Sequence, residues 1–436
     1  MRGRSLANKS EPGSSADEAR LKAIVAHVIA AMRPGFAVEL WDGERIGPED
    51  GPVVVLSDPA GLARLAMRPS IGRVVALWMD KSIDFKDGTL FDLVGKRSET
   101  RTKDALKRIE KSQIAKALPA LWRLSRKAGA EEKDGTGSGR SGSSREAIQY
   151  HYDVGNDFYR LFLDERMLYS CAYFDGWHED IGKAQEDKLD MICRKLRLKE
   201  GERFLDIGCG WGALLIHAAL RYGVTGQGVT LSEEQFDLAT ARVREAGLED
   251  RITIELKPFQ ELSGTFDKVA SIGMYEHVGF KNHDAYFSAV RKLLRPKGLY
   301  LHHAITRPAK KTEKAFHRGT PEYRAITRYI FPGAELDHIG HSTRMLEKHR
   351  FEVHDIEDWR EHYALTCRLW HDRLLARFDE ACELAGERKA RLWLLYLAGC
   401  SLGFTRGGIL IYQTLASKRG KGGAELPPTR RDLYEA

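Results

Sequence analysis

Residues 203–213 read RFLDIGCGWGA. A short run with strand character leads into glycine at every second position: Gly208, Gly210 and Gly212. A turn of this kind leaves few choices. Glycine tolerates a left-handed backbone, and its missing side chain lets a ligand approach the main chain. In open α/β sheets ligands bind beyond the carboxyl ends of the strands, beside the turn into the first helix. The spacing is GxGxG, not the dinucleotide GxGxxG, and Asp206 stands two residues ahead of the first glycine. On these residues alone, a tight strand-to-helix turn without a ligand remains an alternative.

The flanking sequence alternates. RFLDIG reads as a strand before a helix at 211–222, and TGQGVTL as a strand before a helix at 232–246. RITIEL, FDKVASIG and GLYLHHAIT read as further strands, with a helix at 283–294 that stops before Pro296. Strand and helix in alternation predict a parallel sheet covered on both faces. The 436 residues exceed one ordinary domain. The segment KAGAEEKDGTGSGRSGSS (127–144) is rich in glycine, serine and charge, and reads as a flexible linker. It separates an N-terminal α+β part, 1–126, from a larger part, 145–436. In the first part 17–32 and 59–68 read as helices, FAVEL and GPVVVLS as strands, and KSIDFKDGTLFDLVGK as a turn and helix. The basic stretch 101–126 reads as a helix with apolar and cationic faces. Such a helix suits an anionic membrane surface, or simply packs one side on a core.

Composition narrows the partners. A formal net charge of +7 favours an anionic surface but is also ordinary for a basic enzyme. Aromatics do not interleave with basic residues in the RNA-binding manner, there is no GxxxxGK[ST] loop, and no nucleic-acid partner is expected. There is no HExxH and no cysteine-rich ligand set, so no metal is expected; the histidines of DHIGH, His338 and His341, read as isolated. The six cysteines include no CxxC pair and fit a reducing cytoplasm. The N-terminus lacks a secretory apolar core, and LWLLYLAGCSLGF (392–404) is too short to span a bilayer. The expectation is a cytoplasmic protein, peripheral on the inner face of the membrane.

LDIGCGWG resembles motif I of the class I S-adenosylmethionine-dependent methyltransferases. YHYDVGNDFYRLFLDERMLYSCAYF (150–174), GVTLSEEQ, SIGMYEHVG (271–279) and FTRGGILIYQ make the likeness specific. In order along the chain, they resemble the cyclopropane-fatty-acyl-phospholipid synthases and the mycolic acid cyclopropane synthases. GRVVALWMDKSIDFKDGTLFDLV is similar to the small N-terminal domain of that family, whose usual glycine-rich version is eroded here. The resemblance implies a seven-stranded Rossmann-like methyltransferase sheet with inserted helices, within 307–350 and 360–400, that build a lipid-chain tunnel. It implies S-adenosylmethionine and bicarbonate as cofactors and an unsaturated phospholipid in the membrane as substrate. The alkene attacks the sulfonium methyl, the methylated chain becomes carbocation-like, bicarbonate removes a proton, and a cyclopropane ring closes. A transient membrane contact and a homodimer go with that reading. The alternatives are a C-methyltransferase giving methyl- or methylene-branched chains, a small-molecule methyltransferase, and a lipid-surface module with a vestigial cofactor pocket.

The resemblance also assigns residues. Glu276, just beyond the fourth strand, matches the glutamate that orients bicarbonate; on residues alone it could cap a helix. His303 matches the family histidine, and His302 points to the opposite face of a regular strand. Tyr363 and Cys171 match a tyrosine and a cysteine of the site, and Ile305 contributes backbone only. Cys400 matches a cysteine proposed as catalytic, although its apolar surroundings favour simple burial. For S-adenosylmethionine the matching positions are Tyr169, Ser170, Gly208 and Gly210, followed by Thr230, Gln235, Phe259 and Gln260. The second strand of such sheets usually ends in an acid that holds ribose; here it ends in Thr230, while Glu233 and Glu234 suit the next helix's dipole.

Overall fold

The computed structural model describes residues 12–96, 104, 107–127, 154–320, 323 and 334–434. The expected linker, apart from Lys127, lies outside the described residues, as does most of 97–110. The chain forms two compact units.

The first unit takes the described residues up to Lys127 together with Glu387–Leu395. Its strands are β1 (Ala37–Glu39), β2 (Arg45–Ile46), β3 (Val53–Leu56) and β4 (Ile83–Lys86), in the order β2-β1-β3-β4. Only β1 and β3 run parallel. β4 is followed by a short helix, Leu90–Gly95, whose start is closed by a Thr89–Asp92 capping box. Helix Pro59–Met67 begins in the same spirit, with Asp58 accepting from the Ala60 amide and proline at the first turn. The basic helix runs from Lys111 to Lys127 and buries Ala117, Ala120, Leu121 and Leu124. Its Ile114, Leu118 and Trp122 stay exposed at intervals of four residues. Arg391 is buried in this unit, its guanidinium 4.1 Å above the Trp78 ring and 3.2 Å from Asp84.

The second unit is built on β5 (Arg203–Ile207), β6 (Thr225–Thr230), β7 (Ile252–Leu256), β8 (Phe266–Ile272), β9 (Leu294–Thr306), β10 (Phe351–Asp358) and β11 (Leu410–Lys418). The order is β10-β11-β9-β8-β5-β6-β7. β5 to β9 are parallel neighbours, and β11 runs antiparallel to both β9 and β10. Connections leave β5 toward β6 on one side and return to β8 on the other, so the crevice at its carboxyl end is a topological switch point. Alternate residues of β5 feed separate cores. Phe204 joins Leu189, Ile192 and Leu215 on one face, and Leu205 and Ile207 join Tyr286, Phe287 and Val290 on the other. This is the seven-stranded Rossmann-like sheet that the sequence implied.

Two details differ from the sequence reading. β9 starts at Leu294, so Pro296 lies inside the strand near its beginning rather than between helix and strand. That is a permitted place, because proline is tolerated where a strand starts. β10 and β11, which complete the sheet, show no clean alternation that periodicity could use. Helices Glu313–Arg318 and Ile339–Lys348 lie within 307–350, and Arg360–Ala376, Phe378–Ala385 and Glu387–Thr405 cover 360–405. No helix among the described residues is long and apolar enough to cross a membrane.

Candidate active site

At the switch point all three glycines adopt positive φ, +80°, +54° and +81° for Gly208, Gly210 and Gly212. At the first, a Cβ would come within 3.1 Å of Met274 Cγ, so close packing as well as the backbone angle holds the position to glycine. A Cβ on Gly210 would meet nothing within 4 Å and would project into open space. Gly210 lines a cavity of about 410 Å³. All eight positions matched to the cofactor line it: Tyr169, Ser170, Gly208, Gly210, Thr230, Gln235, Phe259 and Gln260. Thr230, at the end of β6, donates through Oγ1 to Gln235 Oε1 at 2.7 Å. The pair replaces the acid usual at this position with a neutral hydrogen-bonding edge. Phe259 is buried, edge-on to Tyr286 at 5.5 Å, and Gln260 beside it is exposed at the rim.

Two charged residues share this cavity. Asp206 is buried, and its Oδ1 has no hydrogen-bond partner among the described residues. Burial pushes its carboxyl up to about 7, against the pull of Lys188. Lys188 is also buried, donates to Ser170 Oγ at 2.8 Å, and is pushed down to about 8 by desolvation, against the attraction of Asp164. A buried cation and a buried carboxylate facing one cavity match the carboxylate and ammonium of an amino-acid moiety. The cavity therefore fits S-adenosylmethionine at its adenosine and amino-acid ends. Sequence reasoning missed Lys188. Its signal was present: in helix Ile181–Leu196 it occupies the inward stripe with Ala184, Leu189 and Ile192.

A second group of residues adjoins the cavity. Cys171 follows Ser170 directly, and Glu276 follows the cavity-lining Met274 by two. Glu276 sits in the turn after β8, and its Oε1 accepts from the Ile305 backbone N–H at 2.5 Å. Its Oε2 is buried without a partner among the described residues, and burial pushes the carboxyl up to about 7. The helix-cap alternative does not apply, because this carboxylate reaches across to β9. His303 projects from β9 toward Gln413 on β11, with Gln413 Nε2 2.9 Å from its Nδ1. Burial holds its imidazole well below the usual range, hence neutral, and its Nε2 has no partner among the described residues. His302 faces the other way, against the Tyr300 hydroxyl. Trp359 joins two members of the group: its carbonyl is 3.7 Å from Cys171 Sγ, and its ring lies edge-on to His303 at 5.4 Å. The buried Tyr363 phenol is pushed upward by desolvation and by the neighbouring Cys367, Cys171, Cys400 and Glu276.

Cys171, Glu276, His303 and Tyr363 are thus brought together, with the Ile305 amide. Cys400 lies beside them, but burial pushes its thiol up to about 12, and burial likewise raises Cys171 well above its ordinary value. Both are thiols, not thiolate nucleophiles. The histidines read as isolated are less so: donor atoms of His283, Asp337 and His341 lie within 4.8 Å of one another. Hydrogen bonds join Asp337 to its neighbours, while His283 Nε2 is buried without a partner among the described residues. Tyr275 donates to Asp337 at 2.9 Å, and His341 Nδ1 lies 2.7 Å from the same oxygen.

The family model of mycolic acid cyclopropane synthetase matches residues 140–414. The chain belongs to this family. As a member of the mycolic acid cyclopropane synthetase family it is an S-adenosylmethionine-dependent methyltransferase. It is 36% identical over 406 residues to a probable fatty acid methyltransferase of Pseudomonas putida, covering 91% of this chain and 95% of that one. It is 38% identical over 273 residues to the cyclopropane-fatty-acyl-phospholipid synthase of Escherichia coli, covering 63% and 68%. Among solved structures, the mycolic acid cyclopropane synthase CmaA1 in complex with SAH and CTAB superposes with a TM-score of 0.58 at 33% identity, covering 63% of this chain and 98% of that one.

Proposed function

We propose that this synthetase-family member transfers a methylene unit from S-adenosylmethionine to the double bond of an unsaturated phospholipid acyl chain, closing a cyclopropane ring by loss of a proton to bound bicarbonate. One observation carries the reading. Glu276 Oε2 and His303 Nε2 are both buried and unpartnered among the described residues, beside the Tyr363 phenol. A carboxylate oxygen accepts, and an imidazole N–H and a phenol donate. That set fits a small oxyanion that itself carries one hydroxyl.

When bound, S-adenosylmethionine supplies an electrophilic methyl on a sulfonium, and bicarbonate supplies a base for the departing proton. The rest falls to the protein. Lys188 and Asp206 hold the amino-acid end, and Thr230, Gln235 and Phe259 the adenosine end. Burial of Glu276, His303 and Tyr363 keeps water from a carbocation, and fixed dipoles stand where charge develops. The aromatic wall formed by Tyr169, Phe162 and Trp370, with ring centroids 5.3–6.3 Å apart, offers π faces to positive charge. A carbocation that lost a proton from a neighbouring chain carbon would give a methyl-branched alkene, the second reading; the relative named as a fatty acid methyltransferase favours it.

The exposed stripe of helix Lys111–Lys127 supports a membrane-facing role. Ile114, Leu118 and Trp122 are 38%, 45% and 53% exposed, a heavy apolar load for a surface helix. The helix carries Lys111, Lys116, Arg123, Arg126 and Lys127 and no acid. We read it as a docking face for an anionic bilayer.

The test is incubation of the protein with vesicles of cis-unsaturated phospholipid and labelled S-adenosylmethionine, with and without bicarbonate. Label is expected in lipid, with ring protons in the NMR spectrum of the product and a rate that rises with bicarbonate. Vinyl protons of a branched product would select the second reading. Label confined to water-soluble product would remove the lipid claim.

A further inference from the structure

One buried chain of hydrogen bonds ends on His303. Lys195, in helix Ile181–Leu196, has its ammonium 2.7 Å from Gln413 Oε1. Gln413 Nε2 in turn lies 2.9 Å from His303 Nδ1. Lys195, Gln413 and His303 are each 1% exposed. The far end is anchored as well: the Lys195 ammonium pairs with Glu357 and lies 5.0 Å over the Trp359 ring.

The donor inventory of these groups leaves one assignment. An ammonium only donates, so the atom of Gln413 that faces Lys195 is the carbonyl oxygen. That orients the amide and turns its NH₂ toward His303. Nδ1 must then accept. A neutral imidazole whose Nδ1 accepts carries its proton on Nε2. Burial and the positive charges of Lys188 and Lys195 oppose a second proton. Nε2 is the ring atom without a partner among the described residues.

We propose that Lys195 and Gln413 are positioning residues that hold His303 as its Nε2–H tautomer, so that the ring presents a donor to the anion at the Glu276 site. The consequence is chemical. A donor at that atom cannot take a proton from the substrate, so His303 holds the base and is not the base. The assignment of the anion as bicarbonate rests on the function proposed above; the tautomer does not.

The experiment therefore reads the tautomer directly. The full chain, labelled with ¹⁵N-histidine, is examined by long-range ¹H–¹⁵N correlation, with His303 identified by its loss in His303→Gln. Wild type is expected to show a protonated Nε2 and an unprotonated Nδ1. Gln413→Glu, whose carboxylate only accepts, is expected to move the proton to Nδ1 and to lower kcat with vesicle substrate at least about tenfold, the scale of one lost transition-state hydrogen bond. Its SAH affinity stays unchanged. Lys195→Met, which removes the donor that orients the Gln413 amide, is expected to let the amide turn and the proton populate Nδ1, with a fall in turnover in the same sense, and so serves if Gln413→Glu fails to fold. A Lys195→Met ring that stays protonated at Nε2 alone with wild-type kcat counts against the proposal. A wild-type ring protonated at Nδ1, a Gln413→Glu ring still protonated at Nε2, or a shifted tautomer with wild-type kcat overturns the proposal. If wild type shows the expected tautomer yet transfers no label to unsaturated lipid, the functional reading fails and the positioning chain stands.

Discussion

The backbone N–H of Ile305 donates to Oε1 of Glu276 at 2.5 Å, tying the turn after β8 to the outer end of β9. The bond holds the carboxylate so that Oε2 stays inward, buried and free to accept from a ligand. Replacing Glu276 by Gln preserves volume but turns half of the acceptor set into a donor. Turnover is expected to fall by roughly 10²–10³, the range for loss of one fixed polar group that holds charge at the reacting centre. SAH affinity, measured by calorimetry, should stay near wild type, because Glu276 does not line the cofactor cavity.

Glu276 also sets a pH dependence. Its carboxyl is raised to about 7 by burial, so it becomes protonated as pH falls through 7. The rate should fall on that acid limb, and the limb should flatten in Glu276→Gln. The stability effect has the opposite sense. Between the ordinary carboxyl range and about 7 the folded state keeps a proton that the unfolded state has lost, so this group's contribution weakens as pH rises through that window. Thermal melts of wild type and Glu276→Gln from pH 5 to about pH 8 measure the difference.

Cofactor affinity should follow a different pair. Asp206 must be ionised to hold an ammonium, and Lys188 protonated to hold a carboxylate. With the two near 7 and 8, SAH binding to the free protein should weaken on both sides of that interval. Lys188→Met should weaken SAH roughly tenfold or more, the worth of one charge-assisted hydrogen bond, and remove the alkaline limb. An unchanged affinity would place the amino-acid moiety elsewhere.

Gly210 at φ +54° tests the turn itself. Gly210→Ala forces a side chain into the left-handed region, at about 1–2 kcal/mol, in the turn that lines the cavity. A lowered melting temperature together with weakened SAH binding is expected. Cys400→Ala, by contrast, should leave turnover on the order of wild type, since the thiol at this position is not ionised near neutral pH.

The exposed stripe gives a prediction for the first unit. Ile114→Ser, Leu118→Ser and Trp122→Ser combined should abolish co-sedimentation with anionic phospholipid vesicles while leaving the melting temperature near wild type. Retained binding would move the membrane contact to another face. A change in oligomeric state instead would assign the stripe to a second copy of the chain.

What could be read from the sequence was local. The strand before Gly208, the turn and the following helix all lie within 203–222, and each is set by neighbours in the chain. The opposite facing of His302 and His303 followed from the two-residue period of β9. What escaped reading depends on distant partners. Gln413 meets His303 across 110 positions and Lys195 across 218. Lys188 and Lys195 sit on an apolar stripe, where lysine is ordinarily unwelcome. They are tolerated because a hydroxyl waits for one, and an amide and a carboxylate for the other. The Cys400 thiol belongs to the same lesson: a match by position placed it near the site, while its surroundings decide its protonation.

Helix Ile181–Leu196 carries its two buried ammonium groups seven residues apart, about 10 Å along one rod. Its middle meets the cofactor cavity, its last turn the amide that steers His303. A single extra residue between them would rotate one group by about 100° relative to the other. The helix thus acts as a ruler between methyl donor and proton acceptor, and its length should tolerate less change than the loops at either end.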